Sequence, residues 1–123
     1  MSQNARTDEE RATQRRAQVL GMPYINTAIP DKKIYKDLLS VQELRQFKTI
    51  PVFSDAHNIN FGVTNTTSQQ TMEKLKNRFL DQRISFGLIS ETGFYDYMRL
   101  YDPPKEVVYQ DIELSGDNSE LFM

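Results

Sequence analysis

The chain has 123 residues, of which 38 % are hydrophobic, with no cysteine and a formal net charge of −2. That length supports one domain and is short for two, and the modest apolar share predicts that part of the chain lies outside the core. The lack of cysteine excludes a disulfide framework, a thiolate metal site and a thiol nucleophile, and fits a reducing cytoplasm. No apolar run approaches the roughly 20 residues that span a bilayer, and the opening Met1-Ser2-Gln3-Asn4-Ala5-Arg6 lacks a signal-peptide core.

Residues 1–20 are polar and are expected to form an N-terminal helix. Thr7-Asp8-Glu9-Glu10 matches a capping box and Arg11, Arg15 and Arg16 follow, which predicts a helix from Asp8 to Leu20. Its apolar stripe, Ala12, Arg16, Val19 and Leu20, is thin, so anchoring is expected near the C-terminal end. Gly21 is a candidate C-cap and Pro23 prevents continuation. Tyr24 to Thr27 reads as extended. Asp31 is expected to cap a short helix with Ile34, Tyr35, Leu38 and Leu39 on one face, and Ser40-Val41-Gln42-Glu43 is a capping box for a second.

The centre of the chain alternates strand and helix signals. Thr49 to Ser54 and Ile59 to Val63, separated by the polar Asp55-Ala56-His57-Asn58, predict an antiparallel hairpin. Thr67 with Gln70 signals the start of a helix whose stripe is Met72, Leu75 and Phe79. Ile84, Phe86 and Leu88 alternate as a third strand. A strand, a crossover helix and a strand form a right-handed unit, so the third strand is expected to run parallel to the second. Ser90 caps a last helix with Phe94, Tyr97, Met98 and Tyr101 inward. The fold class expected is α+β, a small mixed sheet of three or four strands with helices packed on it, over residues 21–102. Pro103-Pro104 ends that unit. The segment 103–123 reads as an acidic linker or tail, with Lys105 against Glu106, Asp111, Glu113, Asp117 and Glu120, a net −4.

Few residues signal chemistry. The body, residues 1–104, carries +2, which offers no strong electrostatic footprint for nucleic acid. His57 is the sole histidine and sits in a polar turn, so it forms neither a metal cluster nor a catalytic dyad. Glu9 and Glu10 read as part of a helix start and Glu73 and Asp81 as exposed, while Asp55, Asp96 and Asp102 could meet only by tertiary accident. No G-x-S-x-G elbow surrounds a serine, and Gly21, Gly62, Gly87, Gly93 and Gly116 are too dispersed for a phosphate loop. No catalytic residue, cofactor or metal site is expected, and the chain reads as non-enzymatic. Two residues are candidates for a protein interface. Phe53 is out of phase with Ile50 and Val52 in a strand whose Pro51 suits an edge, and Tyr95 falls off the buried stripe of the last helix. The competing expectation for that edge is that the first helix covers it.

The run Arg15-Arg16-Ala17-Gln18-Val19-Leu20-Gly21-Met22-Pro23-Tyr24-Ile25, followed by Leu38-Leu39, Leu44 to Phe47, Ile50-Pro51-Val52, Ile59 to Val63, Met72 to Leu80 and Ile84 to Tyr101, resembles the N-terminal domain of type IV pilus assembly and type II secretion ATPases. The resemblance spans residues 12–102. It departs from the family's pattern at Ser40, where proline is frequent, and at Asn65-Thr66, where Asp/Asn-Pro is frequent. The R-L-G-containing helical motifs with which many relatives bind cyclic di-GMP have no match before Gly21, and no Walker A loop occurs in these residues. The resemblance implies a docking or regulatory domain, cytoplasmic and peripheral to the inner membrane through partners. Those partners would be a pilus or secretion platform protein or the motor's own ATPase domain, with no direct membrane insertion and with hexamers only in a full motor. The alternative is a stand-alone cyclic-dinucleotide or small-ligand sensing domain.

Overall fold

The computed structural model describes residues 3–103; the acidic segment from position 104 onward, and with it the expected linker, lies outside the described residues. Seven elements follow in order: α1 (Gln3–Leu20), α2 (Val41–Phe47), β1 (Thr49–Ser54), β2 (Asn58–Val63), α3 (Gln69–Arg78), β3 (Arg83–Leu88) and α4 (Glu91–Tyr101). The architecture is the expected small α+β fold with a mixed three-stranded sheet.

The sheet has the order β1-β2-β3. The first pair is antiparallel and closes through Asp55, whose carboxylate accepts from the backbone N–H groups of His57 at 2.9 Å and Asn58 at 2.7 Å. An aspartate that accepts from the two following amides makes the turn locally, and the same two bonds hold its pKa below the ordinary value. The second pair, β2 with β3, is parallel and in register from Asn58↔Arg83 to Val63↔Leu88, with α3 as the crossover. One sheet face carries Phe61, which is fully buried; its ring stacks on Phe86 at 5.9 Å and meets Phe79, at the end of α3, at 6.0 Å. Phe86 thus lies on the sheet face that meets Phe79, as expected of a strand that directly follows that helix. Gly62 and Gly87 are register partners, and the space their missing side chains leave is filled by Ile89 and Ile25 respectively.

The edges are dressed unequally. At β3 the segment before Asn26 adds a short parallel bridge, with Leu88 N–H donating to Pro23 O at 2.7 Å and Ile25 N–H donating to Leu88 O at 2.9 Å. Helix α1 packs beside β3 as well, so the first helix does not cover β1; α2 and α4 are the helices that touch β1. A bulge between Pro51 and Phe53 shifts the β1 register. An extra residue in one strand re-aims the side chains beyond it, and Phe53 emerges 47 % exposed.

Caps explain three helix starts. Ser40 and Glu43 form the complete reciprocal box, Ser90 accepts from Gly93 N–H, and Ser68 accepts from Thr71 N–H. The last start is one residue later than Thr67 predicts, because the Thr67 hydroxyl is taken: it donates to Lys48 O at 2.8 Å and accepts from Thr64 N–H at 3.1 Å. Helix α1 extends back to Gln3, so Thr7 lies inside it and is no cap. It ends as expected at Gly21 (φ +71), with Met22 N–H donating to Ala17 O and Gly21 N–H to Gln18 O, the paired C-terminal closure that a left-handed glycine permits. The helix expected from Asp31 does not form. Residues 31–35 are irregular and a turn follows, because Tyr35 N–H donates to the Tyr101 hydroxyl at 2.8 Å instead of to a helical carbonyl. Leu39 still reaches the core, with Ile34 and Leu38 packed against it.

Two expected outcomes follow from this packing. Phe61→Ala removes a fully buried ring and should cost about 3–5 kcal/mol, whereas Phe86→Ala, only partly buried, should cost roughly half as much; urea midpoints of the two variants compare them. Glu43 gives a pH test. Its bond from Arg78, then the Ser40 backbone N–H, pull its pKa from 4.5 down to about 2. A carboxylate with a depressed folded-state pKa stabilises fully above its unfolded value and less as pH falls through the folded one. Wild type should therefore lose stability between pH 4.5 and about 2, and Glu43→Gln should flatten that part of the acid-denaturation curve.

Candidate functional site

A groove with apolar lining lies between α2 and α4. The chain leaves α2 at Lys48, whose backbone is left-handed (φ 52) and caps the helix by donating to Leu44 O. A non-glycine residue there costs roughly 1–2 kcal/mol. The conformation sends the Lys48 ammonium across the aromatic end of α4: it donates to the Tyr95 hydroxyl at 2.8 Å, lies 4.8 and 5.1 Å from the Tyr95 and Phe94 ring centres, and is 3.4 Å from Glu91. The bond to Tyr95 is the largest cause of a raised Lys48 pKa, with burial opposing it and Glu91 supporting it. Around this centre is a groove of about 680 Å³ with Phe94, Tyr95 and Met98 in its wall and Arg45 and Arg99 at its rim. Arg45 pairs with Asp102 and Arg99 with Asp96. Every cation of the groove is already paired, so its character is apolar and aromatic with a self-neutralised rim.

Both candidate interface residues are exposed, Tyr95 at 48 % and Phe53 at 47 %. The fold does not bring them together in one cavity. Tyr95 lines the α2–α4 groove and Phe53 does not. His57 is exposed in its turn, as are Arg15, Arg16, Glu73 and Asp81. Asp55, Asp96 and Asp102 remain apart: Asp55 serves its turn, Asp96 binds Arg6 and Arg99, and Asp102 binds Arg45. Among the described residues no group of three metal-ligating side chains forms, and no helix is long and apolar enough to cross a membrane.

The sequence reading misjudged α1. Ala12, Arg16, Val19 and Leu20 are exposed, and the inward face is Arg6, Glu10, Thr13 and Ala17, which share one side of the helix. The Glu10 carboxylate accepts from Arg6 Nε at 2.8 Å, from the Ser90 hydroxyl at 2.6 Å and from the Tyr24 hydroxyl. Arg6 also donates to Asp96 at 2.9 Å and to Thr27 at 3.3 Å, while Glu9 accepts from the Thr92 backbone N–H at 3.1 Å and from its hydroxyl. Glu9 and Glu10 are therefore docking residues in mid-helix and not part of a helix start. Burial works against the Arg6 charge, but the bonds to Glu10 and Asp96 outweigh it and leave its pKa raised; burial and the bond to Glu10 raise that of Tyr24. The only signal of this face in the sequence is the spacing of Arg6, Glu10, Thr13 and Ala17, which a search for apolar periodicity ignores.

No protein-family model matches the sequence, and no curated protein matches it. Solved structures do. MshE, solved with cdg, superposes with a TM-score of 0.62 at 19 % identity, over 73 % of this chain and 66 % of the MshE chain. The N-terminal domain of XpsE superposes in two crystal forms with TM-scores of 0.58 and 0.53, at 14 % and 17 % identity, over 74 % of this chain and 65 % of that one. This chain thus spans slightly less than two thirds of either neighbour's length. What this chain shares with MshE and with the XpsE N-terminal domain is the fold.

The polar docking of α1 is testable by Glu10→Ala, which leaves Arg6, Tyr24 and Ser90 short of an acceptor. Bonds to a charged group of this kind are worth about 1.5–3 kcal/mol, so stability should fall by roughly that amount. Amide exchange in α1 should accelerate more than exchange in the strands. Gly93→Ala should act in the same direction, since its Cβ would stand 1.8 Å from Thr27 Oγ1.

Proposed function

We propose that this chain is a non-catalytic docking and regulatory domain of a type IV pilus assembly or type II secretion ATPase, joining the motor to a platform protein at the cytoplasmic face of the inner membrane. The observation that carries this reading is the superposition on MshE and on the XpsE N-terminal domain. Supporting it, the residues contain no Walker A loop, and the exposed aromatic surface of the α2–α4 groove suits a protein partner better than a reacting substrate. The partner is the platform protein or the motor's own ATPase domain. Phe53 and Tyr95 are the interface candidates, on two surfaces that a partner engages separately.

MshE was solved with cdg, which keeps cyclic-dinucleotide sensing as the alternative role. Against it stands the absence of an R-L-G motif before Gly21.

Calorimetry separates the two. The chain should bind a platform protein's cytoplasmic domain or the motor's ATPase domain, and should neither bind cyclic di-GMP nor hydrolyse ATP. Tyr95→Ala or Phe53→Asp should weaken the protein complex by at least tenfold, about 1.4 kcal/mol, with the circular dichroism unchanged. Micromolar binding of cyclic di-GMP would replace docking by ligand sensing, and unchanged protein affinity in both variants would remove these two faces.

A further inference from the structure

A second cavity, of about 580 Å³, opens at the carboxyl ends of the parallel strands β2 and β3, between the turn that ends α1 and one face of α3. Its size is that of a small-molecule site, and the crevice beyond the carboxyl ends of parallel strands is where open sheets flanked by helices hold ligands. The apolar walls are Leu20 and Met22 from the α1 turn and Met72 and Phe86 from α3 and β3. Methionine adapts its shape to a guest and makes favourable sulfur–aromatic contacts.

The electrostatics differ from those of the α2–α4 groove. Lys76 is the one ionisable side chain lining this crevice, and no carboxylate lines it. Among the described residues Lys76 has no ion pair or hydrogen bond, whereas Arg45, Lys48 and Arg99 each have a carboxylate. The side-chain amides of Asn65 and Gln69, also in the lining, are equally without partners. Gln69, Met72 and Lys76 fall at i, i+3 and i+7 on α3, so one helix face presents an amide, a thioether and an ammonium in sequence.

We propose that this crevice binds a small amphipathic organic anion, with a flat ring body between Met22 and the pair Met72–Phe86 and one carboxylate, sulfonate or phosphate on Lys76. A single ammonium sets a single anionic group, the two amides orient it, and the methionines and Phe86 favour a flat, polarisable body. The proposal rests on the cavity and its charge and does not depend on the docking role.

Anilinonaphthalene sulfonate, two fused rings and a third bearing one sulfonate between them, is the probe for the full chain. Fluorescence titration should saturate at one site, with amide shifts at Met22, Asn65, Gln69, Met72 and Lys76. Lys76→Glu should weaken binding by about tenfold, Lys76→Arg should retain it, and Arg45→Glu should leave it unchanged. The uncharged phenylnaphthylamine should bind more weakly and ignore Lys76→Glu. Lack of saturation, shifts centred on Tyr95 and Met98, or equal affinity in wild type and Lys76→Glu would each overturn the proposal. So would displacement of the probe by an uncharged apolar peptide but not by organic anions, which would make the crevice a protein-docking surface.

Discussion

The Glu10 carboxylate joins parts of the chain that the sheet alone would leave separate. Three donors converge on it: Arg6 from its own helix, Tyr24 from the segment that bridges β3, and Ser90 from the start of α4. Ser90 is at once the cap of α4 and a donor to Glu10, accepting from Gly93 N–H while its own hydroxyl hydrogen goes to the carboxylate. The cap of one helix is thereby the docking point of another. A partly buried carboxylate with that many donors is favourable because little of its lone-pair capacity is left without a partner. Remove it, and Arg6 keeps Asp96 as its one carboxylate, with the Thr27 hydroxyl as its other acceptor.

The two cavities follow from how the helices attach to the sheet. On the β1 side, Lys48 at the end of α2 reaches across to Glu91 and Tyr95 of α4, and the groove beside it is lined by Phe94, Tyr95 and Met98. On the β3 side, the α1 turn and α3 flank the carboxyl ends of the parallel pair and leave a crevice with the exposed Lys76 as its one cation. One surface is apolar with its ions paired among themselves, and the other is mixed with a single solvent-exposed ammonium, unpaired among the described residues. Shape complementarity would govern association at a surface of the first kind, whereas charge would contribute at one of the second.

What the sequence disclosed divides by distance along the chain. The Ser40–Glu43 box, the Ser90 cap, the Gly21 closure and the Asp55 turn are chemistry between residues at most five apart, and each is legible. The parallel placement of β3 was legible because handedness leaves one choice for a strand–helix–strand unit. Three of the errors have distant partners. Tyr35 lost its helix to Tyr101, Thr67 lost its cap to Lys48, and the inward face of α1 is polar because its partners are the polar residues of α4 and the 24–27 segment. For the candidate site, the exposure of Tyr95 and Phe53 was visible as a break in phase. Lys48, Arg45 and Arg99 were not, since nothing local marks three cations as neighbours of one aromatic helix face.

The bonds that fasten α1 span 80 residues from Glu10 to Ser90 and 90 from Arg6 to Asp96. By contrast, the β1–β2 hairpin closes over the three residues between its strands. Closing long loops before their contacts are made is entropically costly, so local pairings lead and such separations close late. During synthesis α1 leaves the ribosome before the other described elements; Tyr24 and Thr27 follow it closely, but its partners Ser90, Thr92 and Asp96 are translated only with α4. The inward face of α1 is Arg, Glu, Thr and Ala and not Leu or Phe, so the waiting helix exposes little apolar surface to the surrounding proteins. Among the described elements, the earliest translated is the one whose contacts reach furthest along the chain, and its polar inward face suits that wait.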